Sequence, residues 1–114
     1  MPKYSAASLF FALGDPTRLR VVSRLCEKPA SVSELAAPFR MALPSFLQHL
    51  KVLEDSRWIS SSKVGRVRIC RINPAALTQV SGWLEYQRES WEKRLDRMDE
   101  YLLKLKSEEE NAES

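Results

Sequence analysis

Apolar residues recur at helical spacing through most of this chain, interrupted once by a short basic ribbon. Residues 5–13 read as a short apolar helix stopped by Gly14, a residue suited to a helix C-terminus. Asp15 and Pro16 then open a second helix, the carboxylate accepting from an early N–H and the proline standing where none is needed. Leu19, Val22 and Leu25, with Cys26, supply its predicted buried face, and Pro29 ends it. Ser31 and Glu34 form a capping box for a third helix from about Val32 to Ala37. A fourth, about Leu43 to Asp55, turns Phe46, Leu50 and Leu53 inward and Ser45, Gln48, His49 and Val52 outward. Trp58-Ile59 to Arg71-Ile72 read as a hairpin turning at Val64-Gly65, with Lys63, Arg66, Arg68 and Arg71 on or near its tip. Beyond Asn73-Pro74 a fifth helix runs from about Ala75 to Leu105. Its register Trp91, Leu95, Met98, Leu102, Leu105, extended upstream through Leu84, Val80 and Leu77, is a coiled-coil seam. A seam that long exceeds what a small domain covers internally, so it predicts a second copy.

Length and charge sharpen the picture. The 114 residues suffice for one core, placing a single domain over 1–106 with an acidic, disordered tail over 107–114. The formal charge of +3 is unevenly spread: residues 17–74 carry eleven Lys/Arg against four Asp/Glu, residues 75–114 six against ten. A basic middle attracts a polyanion, and the acidic end is the wrong sign to face phosphates. The start shows no charged-then-apolar leader and no stretch is apolar enough to span a membrane, so the expected setting is cytoplasmic, with no membrane partner. Two cysteines are too few for a disulfide framework.

Helix, turn, helix and basic ribbon, in that order, form a device that reads double-stranded DNA, the fourth helix fitting the major groove. Gln48 and Ser45 are the base-reading candidates, since an amide pairs bidentately with adenine. Arg66 and Arg68 on the ribbon suit a minor groove. Arg18, Arg20, Arg40, Lys51 and Lys63 are phosphate partners of second rank. His49 serves either DNA or the neighbouring scaffold.

Several stretches together resemble the ArsR/SmtB family of bacterial winged-helix repressors. They are Ala12-Leu13-Gly14-Asp15-Pro16-Thr17-Arg18, Ser33-Glu34-Leu35-Ala36, Gln48-His49-Leu50-Lys51-Val52-Leu53-Glu54 and Gly65-Arg66-Val67-Arg68. The resemblance spans about residues 8–105. It implies a mainly α fold of five helices plus a two-stranded wing, dimerised through the first and last helices. Leu9 and Phe10 would join Leu84, Trp91, Leu95, Met98, Leu102 and Leu105 in that interface. It also implies repression of transcription until an effector releases the DNA. The tract 39–46 and Trp91-Glu92-Lys93-Arg94-Leu95-Asp96 resemble a branch without metal sites, whose members often regulate their own operon.

Where this chain departs from the family, it does so informatively. The third helix lacks the cysteines of the metal-sensing branch, residues 75–114 contain no histidine, and the chain holds a single histidine in all. Zinc, cadmium or arsenic(III) sites need thiolates or imidazoles at fixed spacing, so the family's metal sites cannot be built and no cofactor is expected. Lys28 and Arg57 stand where the family usually has glycine. A left-handed Arg57 would cost about 1 kcal/mol relative to glycine. Ala42 replaces the usual Ser or Thr cap of the fourth helix, and Leu47 a common serine, where it either meets a thymine methyl or packs.

Some alternatives stay open. Cys26 and Cys70 are either small hydrophobes or a thiol pair making the repressor redox-responsive. Trp83, Tyr86, Trp91 and Tyr101, with Phe10 and Phe11, line either a pocket for a small-molecule effector or the dimer core. An interaction module that has lost DNA binding would suit Arg57, Ala42 and Leu47, though the cationic wing argues against it. No nucleophile–base pair, metal site or phosphate loop suggests an enzyme. The expected function is a sequence-specific, metal-independent homodimeric repressor on a palindromic operator.

Overall fold

The computed structural model describes residues 5–113. Along them lie α1 (Ala6–Leu13), α2 (Pro16–Leu25), β1 (Ala30–Ser31), α3 (Val32–Ala36), α4 (Leu43–Asp55), β2 (Ile59–Val64), β3 (Val67–Ile72) and α5 (Pro74–Glu113). Contacts divide the chain into two units, one ending at Val80 and the other starting at Ser81, with α5 passing through both.

The helices begin where the sequence supplies acceptors for their orphan N–H groups. Ser5 Oγ accepts from Ser8 N (3.3 Å), and Asp15 Oδ2 from Thr17 N (2.8 Å) and Arg18 N (3.1 Å). Ser31 Oγ accepts from Glu34 N (3.1 Å), and Asn73 Oδ1 from Ala75 N (3.2 Å). The predicted capping box is half formed, because the Ser31 hydroxyl donates to the Glu34 carboxylate at 3.2 Å. Ala42 gives α4 no side-chain cap, as its identity dictates. Pro44 lessens the deficit, since it has no N–H to satisfy.

Helix ends differ from expectation in instructive ways. Gly14 ends α1 at φ −72, so left-handed freedom is not its role. A Cβ there would stand 3.2 Å from the Phe11 carbonyl oxygen, which makes close approach the reason for glycine. Lys28 is not left-handed either, whereas Arg57 is, at φ 64. Arg57 N–H donates to Glu54 O (3.0 Å) and Trp58 N–H to Leu53 O (2.9 Å). This pair is a Schellman motif, and the buried side chains of Leu53 and Trp58 complete its apolar contact.

Phe46, Leu50 and Leu53 are at most 2% exposed and meet residues from α1, α2, α3 and the strands in one core. Each such burial contributes on the order of 2 kcal/mol. The buried face of α2 is Val21, Val22 and Leu25; Leu19, expected there, is 48% exposed. Because α2 stops at Leu25, Cys26 falls in its C-cap and is exposed. Val52, read as outward, is half-buried against the core. Leu9, expected at a dimer interface, is 2% exposed within its own chain and belongs to this core.

The wing was expected to have two strands, but its sheet has three, in the order β1-β3-β2. Ala30 pairs with Cys70 and Ser31 with Ile69, antiparallel. A two-residue strand carries no periodicity by which sequence reading finds it. β2 and β3 pair from Ile59↔Ile72 to Val64↔Val67 around a Gly65-Arg66 turn. Gly65 has φ +65, the positive angle a tight hairpin demands at its first turn residue.

The fifth helix was expected to end near Leu105 before a disordered tail, yet α5 is helical through Glu113. Glu and Ala are strong helix formers, and their propensity extends the helix through the acidic run.

Candidate nucleic-acid interface

Packing decides which face of α4 stays available. With Phe46, Leu50 and Leu53 inward, Ser45, Gln48 and Lys51 are exposed and Leu47 is 37% exposed. An amide, a hydroxyl, a cation and an apolar branch thus share one surface. Arg40 is exposed in the loop leading into α4.

His49 points elsewhere. Its Nδ1 lies 3.2 Å from Arg18 Nη1 and 3.7 Å from Asp15 Oδ2. Arg18 Nε donates to the Ala12 carbonyl at 2.6 Å, and its guanidinium stands 5.9 Å from the Phe11 ring centre. Arg18, expected at phosphate, and His49, read as serving either DNA or the neighbouring scaffold, thus bond within the chain and link α1, α2 and α4. Desolvation pushes the Asp15 carboxyl up, but the Arg18 N–H, the charges of His49 and Arg18, and the Thr17 N–H together hold it below its ordinary value. Arg20 stacks over Phe39 at 4.7 Å.

The wing cations separate into two groups. Lys63, beside the turn, and Arg66, within it, are exposed, with no side-chain ion pair among the described residues. Arg68, expected to reach DNA, donates from Nη2 to Glu54 Oε1 at 2.6 Å and from Nε to Ser61 Oγ at 2.9 Å. Ser61 Oγ donates in turn to Glu54 Oε1 at 2.7 Å. Arg71 Nη1 donates to Ser62 Oγ at 3.1 Å. Sequence reading missed Glu54 and Ser61, although one signal was present: a carboxylate in the last turn of α4 opposes the helix dipole, so a nearby cation was due.

The cysteines occupy unlike surroundings. Cys26 is exposed, whereas Cys70 is fully buried on β3, and both are free thiols. Desolvation, aided by the Glu54 charge, pushes the Cys70 thiol up against the opposing pull of Arg68, which suppresses thiolate chemistry. Among the described residues no group of three or more His, Cys, Asp or Glu is placed to hold a metal ion. No described helix is long and apolar enough to cross a membrane.

On the second unit, the α5 seam is open. Leu84, Trp91, Leu95, Met98, Leu102 and Leu105 are between 42% and 60% exposed in a single chain. Phe10 of α1 is 36% exposed. Arg88 bridges Glu85 and Glu92 on this helix. The hydrogen bond from Arg88, against desolvation, lowers the Glu85 carboxyl, and the same bond raises Arg88 in turn.

The helix pair α3–α4, followed by a hairpin that shares its core, defines a winged helix-turn-helix. A helix-turn-helix domain family matches residues 13–57. The crystal structure of an ArsR family transcriptional regulator is 55% identical and superposes with TM-score 0.71, covering 75% of this chain and 89% of the other. HTH-type transcriptional regulator Rv2034 of Mycobacterium tuberculosis is 38% identical over 69 residues, 60% of this chain and 64% of that one. A transcriptional repressor SmtB homolog of Synechocystis is 35% identical over 60 residues, 53% of this chain and 46% of that one. The match thus spans less than two thirds of either curated relative. The chain belongs to the ArsR family of winged-helix transcriptional regulators.

Proposed function

We propose that this protein is a homodimeric, sequence-specific DNA-binding repressor acting on a palindromic operator. The carrying observation is the exposed Ser45–Gln48–Lys51 face of α4 beside the wing cations Lys63 and Arg66. Gln48 and Ser45 read bases, Leu47 meets a thymine methyl, and Lys51, Lys63, Arg66 and Arg40 engage the backbone. The relative named as a repressor supports the direction of control. The open α5 seam, with Phe10, supports the second copy, which would make 1–106 one cooperative domain and place two reading helices about 34 Å apart. A chain with one histidine and two cysteines supports control without a metal, and regulation of its own operon follows the branch it resembles.

Fluorescence anisotropy with the gene's own upstream DNA against a shuffled duplex, across a salt series, tests this reading. Preference for its own DNA with steep salt dependence is the expected result. Equal, weak binding to both overturns autoregulation, and absence of salt-sensitive binding to any duplex overturns DNA reading altogether.

A further inference from the structure

Glu54, Ser61 and Arg68 form a closed polar triangle across three elements. Glu54 ends α4, Ser61 lies on β2 and Arg68 on β3. Glu54 Oε1 accepts from both Ser61 Oγ (2.7 Å) and Arg68 Nη2 (2.6 Å), while Arg68 Nε donates to Ser61 Oγ (2.9 Å). Ser61 is the pairing partner of Cys70, whose buried side chain lies on the same face of the hairpin and belongs to the core. Beyond that point toward the turn the hairpin is exposed: Ser62 to Arg68 bury nothing, so apolar packing ends where the triangle begins. A two-stranded ribbon without a packed face is marginally stable alone, so its outer half needs another anchor. The triangle supplies charge-assisted bonds where apolar contact stops.

We propose that Glu54, Ser61 and Arg68 are positioning residues that hold the wing to the reading helix as one rigid unit, and that Arg68 is not a phosphate contact. This inference rests on the DNA-binding reading above. The carboxylate neutralises the guanidinium at close range, so bringing Arg68 to DNA would break two bonds and leave Glu54 with Ser61 as its remaining partner. Lys63 and Arg66, rather than Arg68, supply the wing tip's contribution to counterion release. The minor-groove reading of Arg68 is thereby replaced by a geometric role: Arg68 sets where Arg66 arrives.

Two measurements test it. Amide exchange on the free protein is expected to quicken across residues 61–68 in both Glu54→Ala and Arg68→Ala, while the amides of Leu50 and Leu53 keep their protection. In operator titrations, Glu54→Ala and Arg68→Ala are each expected to weaken binding on the order of tenfold, since either one frees the wing. Arg66→Ala should flatten the salt slope by about 0.9. A flattened slope in Arg68→Ala, with binding unimpaired in Glu54→Ala, overturns the assignment and makes Arg68 a phosphate contact. Unchanged wing exchange in both variants overturns the anchor. Wild-type protein that binds no DNA would sink the regulatory reading instead, while exchange still decides whether the triangle holds the wing.

Discussion

The indole N–H of Trp58 donates to the carbonyl oxygen of Leu9 at 2.8 Å, joining the residue after α4 to α1 across 49 positions of chain. Both residues are buried, so the bond satisfies groups that water cannot reach. Trp58→Phe keeps most of the apolar volume but removes the buried donor that ties the loop after α4 to the Leu9 carbonyl. Chemical denaturation is expected to show a loss of about 2 kcal/mol, with the slope against denaturant unchanged.

Arg57 and Gly65 share a left-handed backbone, at φ 64 and +65, but only one is the residue that conformation favours. Arg57→Gly is expected to raise stability, and Gly65→Ala to lower it, each by about 1 kcal/mol. Thermal unfolding midpoints moving in the same direction for both substitutions would contradict this account.

Asp15 links helix capping to pH. Its folded carboxyl titrates below the ordinary value of 3.8, so the stability it adds is fully present above that pH. The contribution fades as pH falls through the lower, folded value. Asp15→Asn retains a capping oxygen but loses the charge facing Arg18 and His49. Unfolding curves should show the wild type ahead near neutrality, with the gap closing below about pH 4. A gap independent of pH would remove the charge from the explanation.

Gln48→Ala should lower discrimination between the operator and a shuffled duplex while leaving the salt slope in place. Each lost base contact is worth about 1–3 kcal/mol. A uniform loss on both duplexes would reassign Gln48 to the phosphate backbone.

The seam on α5 predicts its own disruption. Leu95→Glu places a charge among exposed apolar side chains that a second copy would cover. Sedimentation velocity should show a shift from dimer to monomer, and operator affinity should fall with it. A wild type that sediments as a monomer at micromolar concentration would refute the dimer.

Local chemistry made several features legible. The caps at Asp15 and Ser31, the absent cap at Ala42 and the inward register of Phe46, Leu50 and Leu53 all depend on neighbours within a turn or two. The wing turn was readable because one backbone angle rules out most side chains, whereas the left-handed Arg57 was expected only from the glycine that the resembled family usually has there. Leu19 misled because helical spacing alone cannot say which of two adjoining stripes meets the core, and Val21 took its place.

What the sequence by itself determined was the order of the helices and the hairpin, where most helices begin, and the list of side chains able to meet DNA. Those follow from propensity, capping and periodicity, which act over a few residues. The tertiary structure decided which partners those side chains find within the chain. His49 turned to Arg18, Arg68 turned to Glu54, and β1 joined the wing through Ala30↔Cys70. These pairings join residues remote in sequence, and a cation's choice between a carboxylate and a phosphate depends on the distance that only packing sets.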